Sequence, residues 1–258
     1  IRAAVRDAAP DAAAREQQEL LERADDLRRQ QETTEARLFL DQGGSLEFGP
    51  GIDFREYIQR ALLGGVLRGE ELHAIRGLTE AARYDRATLS RHEEIPLLAS
   101  MSDNLPELGP LERAVCSAIS PAGEVLDDAS PTLRQLREDS RVAHHRLNEV
   151  MERNLRRLQR QELVQEPIIT QRNGRLVLLI KSEMRSRVLG IVHDVSDSGA
   201  TVFVEPIPAI DLGNRWREAR LAEEREEERV LRQLSALAGR AGQDLLLTLD
   251  LMGRLRFS

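Results

Sequence analysis

Apolar residues recur along this chain at two different periods. From Pro131 onward, Leu133, Leu136, Ala143, Leu147, Val150, Leu155 and Leu158 form a narrow stripe at helical spacing. The spacing returns in Leu212, Trp216, Ala219, Val230, Leu234 and Leu237, which predicts a second long helix over Ala209 to Leu237. Between these helices the period shortens. Gln165 to Ser182 reads QEPIITQRNGRLVLLIKS, with Asn173-Gly174 between two apolar runs. Asn-Gly is the strongest short-range hairpin signal, because both central residues of a type I′ turn take positive φ. A second pair follows, Val188 to Asp194 and Ala200 to Glu205, joined by the turn residues Ser196-Asp197-Ser198-Gly199. Four antiparallel strands over residues 166–205 are predicted, closing at Pro206. About forty residues bury too little apolar surface to be stable alone, so the flanking helices must hold them. Those helices flank a segment closed at one end and are therefore expected to run antiparallel. The charged middle of the second, Glu223 to Arg229, is read as a solvent-bridging arm or as half of an ion-laced pair.

Upstream, residues 1–42 are predicted helical, with Leu20, Leu27, Thr34 and Leu38 near helical spacing and Gly43-Gly44 as the stop. Asp53 and Glu56 form the expected capping box of a helix ending at Gly64-Gly65. Further helices are predicted over Glu70–Leu89, Met101–Leu105 and Leu111–Ile119. The expected class is mainly α: a helical bundle and a long antiparallel helix pair carrying a small antiparallel sheet at its tip. Its parts are residues 1–125 (bundle), 126–165 (ascending helix), 166–206 (sheet), 207–240 (descending helix) and 241–258 (return into the bundle). Both ends fall inside predicted helices, so a piece of a longer protein is expected.

Composition narrows the function classes. Only 3% of residues are aromatic and 31% are charged, which favours long solvated helices over a compact enzyme. The net charge of −7 excludes a uniformly basic nucleic-acid binder and leaves only a local patch. Thirty-six arginines accompany one lysine, Lys181. Cys116 stands alone, which rules out an internal disulfide and fits a reducing, cytoplasmic setting. No apolar run approaches the roughly 18 residues of a membrane span.

That local patch lies in the predicted sheet. From Arg172 to His193 there are five cations (Arg172, Arg175, Lys181, Arg185 and Arg187) and one anion, Glu183. Arg185 and Arg187 are read as sharing one strand parity, with Arg172 and Arg175 flanking the hairpin turn, so that most point outward. Together with His193 they form a candidate phosphate-contacting surface. The competing role is edge protection of a small exposed sheet. Arg153, Arg156, Arg157 and Arg160 recur at helical spacing and extend the patch, or else pair with Glu218, Glu223 and Glu224 across the helices. His193, Asp194, Asp197 and Glu205 match no metal-ligand spacing. Asp194 to Ser198 is explained by turn chemistry, and Ser198 to Thr201 precedes a strand rather than the helix a phosphate cradle needs. His144-His145 is expected on the surface. No catalytic residue and no metal site are assigned.

The segment GIVHDVSDSGATVFVEP (Gly190–Pro206) resembles the clamp of the bacterial MutS type 2 family, MutS paralogues that carry an Smr nuclease module. The resemblance extends to Gly123–Arg137, Thr170–Val188, Asp211–Leu237 and Asp53–Leu67, in the family's order. It departs at Leu179 and Leu189, where proline is expected, and at Gly213, where asparagine is expected. What it implies is a helical core, a lever and a clamp, with the ATPase and Smr domains lying outside this chain. No G-x-x-x-x-G-K-[ST] phosphate loop is present, so no cofactor is expected here; ATP and Mg are implied for the full-length protein only. By resemblance that protein is a homodimeric ATP-driven clamp and endonuclease. It acts on branched or duplex DNA to limit recombination, or on stalled or collided ribosomes through rRNA. A non-catalytic interaction or dimerisation scaffold is the alternative. Phe54-Arg55-Glu56 fits the Phe-x-Glu wedge of MutS mismatch sensors, but Glu56 is better used as a cap and the type 2 family lacks the mismatch-reading domain.

Overall fold

The computed structural model describes residues 2–47 and 54–257, with side chains described from residue 18 to 255 apart from residues 25 and 48–53. The chain is mainly helical with one four-stranded antiparallel sheet, and it divides into two compact units, residues 1–124 with 232–258 and residues 125–231.

The first unit contains α1 (Arg2–Asp41), α2 (Phe54–Leu62), α3 (Gly69–Leu89), α4 (Pro96–Asp103), α5 (Gly109–Ala118) and α8 (Gly242–Phe257). The cap expected at Asp53 lies outside the described residues. The predicted stripe of α1 is not a buried face, since Leu20 and Leu27 are each 60% exposed. What anchors α1 is its last turn: Phe39 joins Leu89, Ile95, Leu98, Met101 and Leu255 in one apolar cluster. One turn earlier, the Glu35 carboxylate accepts the N–H groups of Leu97 (2.9 Å) and Leu98 (3.0 Å), satisfying free donors at the start of α4. That helix begins at Pro96, five residues before the predicted Met101, because proline is preorganised for the first helical position.

The second unit is built on α6 (Pro131–Arg160) and the first part of α7 (Ile207–Arg240). Ser130 caps α6, its Oγ accepting the Leu133 N–H at 2.9 Å, with Pro131 in the first turn. The helix ends at Arg160, short of the predicted Gln165, and Glu162 turns the chain with φ of 59° into the sheet. The helices pair antiparallel: Ser130 bonds Glu226, Arg137 pairs with Glu223 and Glu227, and the His144 ring lies 4.6 Å from Trp216. The charged middle of α7 is therefore one half of an ion-laced pair. His144, expected on the surface, is half-buried against Trp216, because this register brings it opposite the one tryptophan.

The sheet comprises β1 (Val164–Arg172), β2 (Arg175–Lys181), β3 (Gly190–Val195) and β4 (Thr201–Pro206), in the order β1-β2-β4-β3. Both hairpin turns form as their residues predict. Asn173 (φ 52°) and Gly174 (φ 75°) close β1 on β2, where Arg172 faces Arg175. Strand alternation sorts the apolar residues onto two faces. Leu178, Ile180, Val202 and Val204 pack on Leu147, Met151 and Leu158 of α6 and on Ala209 and Trp216 of α7. The opposite face buries Val177, Leu179 and Phe203, with Leu179 directly across from Phe203.

Candidate nucleic-acid interface

The sheet does not present its cations as a single outward row. Arg185 and Arg187 lie on a 3₁₀ helix, Ser182–Arg187, so strand parity does not govern them. The cause is visible in Arg185, whose guanidinium donates to the carbonyls of Val188 (2.6 Å) and Gly190 (2.8 Å) and ties the turn to β3. Arg175 also points inward. It donates to Asn214 Oδ1 at 2.6 Å and reaches Glu205 Oε1 at 3.4 Å, with only 18% of its side chain exposed. Glu205 is 2% exposed, and its other oxygen lies 2.7 Å from His193 Nε2. Arg175, His193 and Glu205 thus form a buried charge cluster between the sheet and α7. Gly213 makes room for it, since a Cβ there would sit 2.8 Å from Glu205 Oε1 and 3.2 Å from Arg175 Nη1. Three residues of the predicted patch, Arg175, Arg185 and His193, are consumed by the fold.

Arg172, Lys181 and Arg187 remain accessible. Arg172 lies over the Phe203 ring, 4.5 Å from its centroid, and 3.8 Å from Asp194 Oδ2, so β1 reaches across the sheet to β3 and β4. Arg187 is exposed, with Nη1 3.9 Å from the Met184 sulfur. Lys181 is half-buried at the end of β2 and forms no ion pair among the described residues.

The α6 arginines do not pair across to α7. Arg156 bonds Glu152 at 2.7 Å, Arg157 bonds Asn154 at 3.0 Å and Arg160 bonds the Arg156 carbonyl at 3.2 Å, all within their own helix. Arg153 is exposed without an ion pair among the described residues. Register is the reason. With Arg137 opposite Glu223 and His144 opposite Trp216, Arg153 is level with the first residues of α7, beyond reach of Glu218, Glu223 and Glu224. Glu223 goes to Arg137 instead, and Glu224 to Arg220.

Charge consequently separates along the second unit. The half holding the sheet, residues 141–220, carries fourteen Arg and Lys against ten Asp and Glu. The other half, residues 125–140 with 221–231, carries four against nine. Part of the positive excess comes from Arg146, Arg215 and Arg217, which lie off the apolar stripes that mark these helices in the sequence. A count of charge by helix half would have exposed them.

Among the described residues no group of three or more His, Cys, Asp or Glu side chains is placed to hold a metal ion, and no helix is long and apolar enough to cross a membrane.

No protein-family profile matches the chain. Individual relatives do. Endonuclease MutS2 of Pelotomaculum thermopropionicum is 40% identical over 232 residues, covering 90% of this chain and 30% of the relative. Endonuclease MutS2 of Geobacillus thermodenitrificans is 41% identical over 210 residues, covering 80% of this chain and 27% of the relative. The putative endonuclease MutS2 of Bacillus subtilis is 36% identical over 238 residues, with coverages of 90% and 30%. The chain thus spans about 30% of the length of the curated relatives it matches. Identity at this level runs through both units, the antiparallel helix pair and its sheet included, and the chain belongs to the MutS2 family.

Proposed function

We propose that residues 126–240 are the lever and clamp of a MutS2 protein, with residues 1–125 and 241–258 its helical core, and that the clamp contacts nucleic-acid backbone. The observation that carries this reading is the segregation of charge toward the sheet in a chain of net −7. Arg172, Lys181 and Arg187, with Arg153 on α6, are the cations left to meet phosphates. Phosphate contacts position a protein without reading sequence, which fits a surface that lacks exposed aromatic rings for stacking bases. Catalysis, ATP and Mg belong on this reading to the remainder of the full-length protein, a homodimer acting on branched DNA or on ribosomes in the cytoplasm.

Replacing Arg172, Lys181 and Arg187 with Gln tests it. Each lost phosphate contact lowers the slope of log K against log salt by about 0.9, so affinity for a four-way junction or a ribosome falls most steeply at low salt. Unchanged affinity in 50 mM salt removes the clamp from the contact surface. A second reading, a scaffold that docks protein, draws on Ile191, Val192 and Val195 of the edge strand β3 and on Leu189 just before it, which are 40% to 77% exposed. It predicts binding indifferent to salt.

A further inference from the structure

The α6/α7 pair treats its charges differently at its two ends. Where Ser130 meets Glu226, the cation Arg137 faces Glu223 and Glu227, opposite charges across the helices. Closer to the sheet, a groove of about 220 Å³ opens between the same two helices, floored by Val142, Ala143 and Leu212. Its charged walls are Arg146 from α6 and Arg215 from α7. Neither arginine forms an ion pair among the described residues. The one acid lining the groove, Asp139, accepts a hydrogen bond from Gln135 at 2.9 Å. Two solvent-exposed guanidinium groups, one from each helix and neither held by an ion pair among the described residues, thus line one small groove and are free to take an anion from solution. Guanidinium groups are suited to that anion, because their planar forks bind phosphate oxygens in pairs. The volume lies below the roughly 300–1,000 Å³ of small-molecule pockets, which leaves room for a phosphate group but not for a nucleotide cofactor.

We infer that this groove is a second nucleic-acid contact, in which Arg146 and Arg215 grip one backbone phosphodiester beside the sheet. The inference rests on the nucleic-acid reading of the clamp and adds residues to it. It places the bound strand along the flank of the helix pair as well as across the sheet. A free phosphate ion offers the same chemistry and is the alternative source.

The test is the double substitution Arg146→Gln with Arg215→Gln, compared with wild type and with the clamp variant lacking Arg172, Lys181 and Arg187. Binding to a four-way DNA junction is followed by fluorescence anisotropy between 50 mM and 1 M salt. One lost phosphate contact reduces the salt slope by about 0.9, which is about a fifteenfold loss of affinity at 50 mM if affinities converge at 1 M. Melting in the absence of nucleic acid should show the double variant unchanged from wild type, since both side chains are exposed and hold no ion pair among the described residues. A slope and affinity equal to wild type, while the clamp variant is weakened, overturns the groove and spares the clamp. The converse, groove variant weakened and clamp variant unchanged, upholds the groove and overturns the clamp contact. Loss of binding with a lowered melting temperature assigns the arginines to folding and overturns the inference. In a further arm, millimolar inorganic phosphate that raises the melting temperature of wild type but not of the double variant, with DNA affinity unaltered, makes the site one for free anions and overturns the nucleic-acid assignment.

Discussion

Glu205→Gln is expected to destabilise the second unit more than any other single charge removal on the sheet. The carboxylate is 2% exposed and accepts from His193 Nε2 at 2.7 Å and from Arg175 Nη1 at 3.4 Å. An amide in its place leaves a guanidinium that is four-fifths buried with Asn214 as its remaining partner. Breaking a buried pair by removing one member costs about 3–5 kcal/mol. The 18% exposure of both Arg175 and His193 lets water take up part of that loss, and about 2–3 kcal/mol is the expected cost. Trp216 is the only tryptophan and lies against His144 and Arg220 in this unit, so its fluorescence reports the unfolding of this unit alone. For a urea slope of roughly 1.5 kcal/mol/M, the midpoint should fall by about 1.3–2 M. Gly213→Ala should move it in the same direction, because its Cβ intrudes on the same pair. If both variants shift the midpoint by less than about 0.5 M in urea, the cluster does not hold the sheet to α7 and the burial argument fails.

Burial raises the Asp85 carboxyl to about 6; it is 0% exposed, with Oδ1 accepting the Glu47 N–H at 2.7 Å and Oδ2 without a hydrogen-bond partner among the described residues. A folded pKa above the unfolded value favours the folded state fully below pH 3.8, an advantage that fades as pH rises through about 6. Thermal melts followed by circular dichroism should therefore show Asp85→Asn gaining stability on wild type at pH 7.5, by up to about 3 kcal/mol, and losing that advantage near pH 4. Glu226 has the opposite sign. Hydrogen bonds from Arg229 and Ser130 hold its carboxyl at about 2, so its contribution is complete above pH 4.5 and lost as pH falls toward 2. In Trp216 unfolding curves, Glu226→Gln should be weaker than wild type at pH 7 and indistinguishable from it at pH 2. Gly174→Val places a β-branched residue at φ 75° and should cost about 1–2 kcal/mol, read as a lower urea midpoint for the sheet unit.

The parts of this protein that could be read from residue order are those written in neighbours. Asn173-Gly174 and the Ser196–Gly199 turn announced both hairpins, because positive φ is a property of one or two adjacent residues. The stripe from Leu133 to Leu158 announced α6, because helical burial repeats every three or four positions. What folding in three dimensions settled is the destination of the long charged side chains. Nothing local says that Arg175 turns in toward Glu205, thirty residues on, that Arg185 closes its own turn, or that Arg137 rather than Arg153 meets Glu223. A guanidinium at the end of a flexible stem takes whichever acceptor the packing brings within reach. That choice is made by the register of α6 on α7 and by the β1-β2-β4-β3 strand order, which join residues far apart in the chain and leave no period in it.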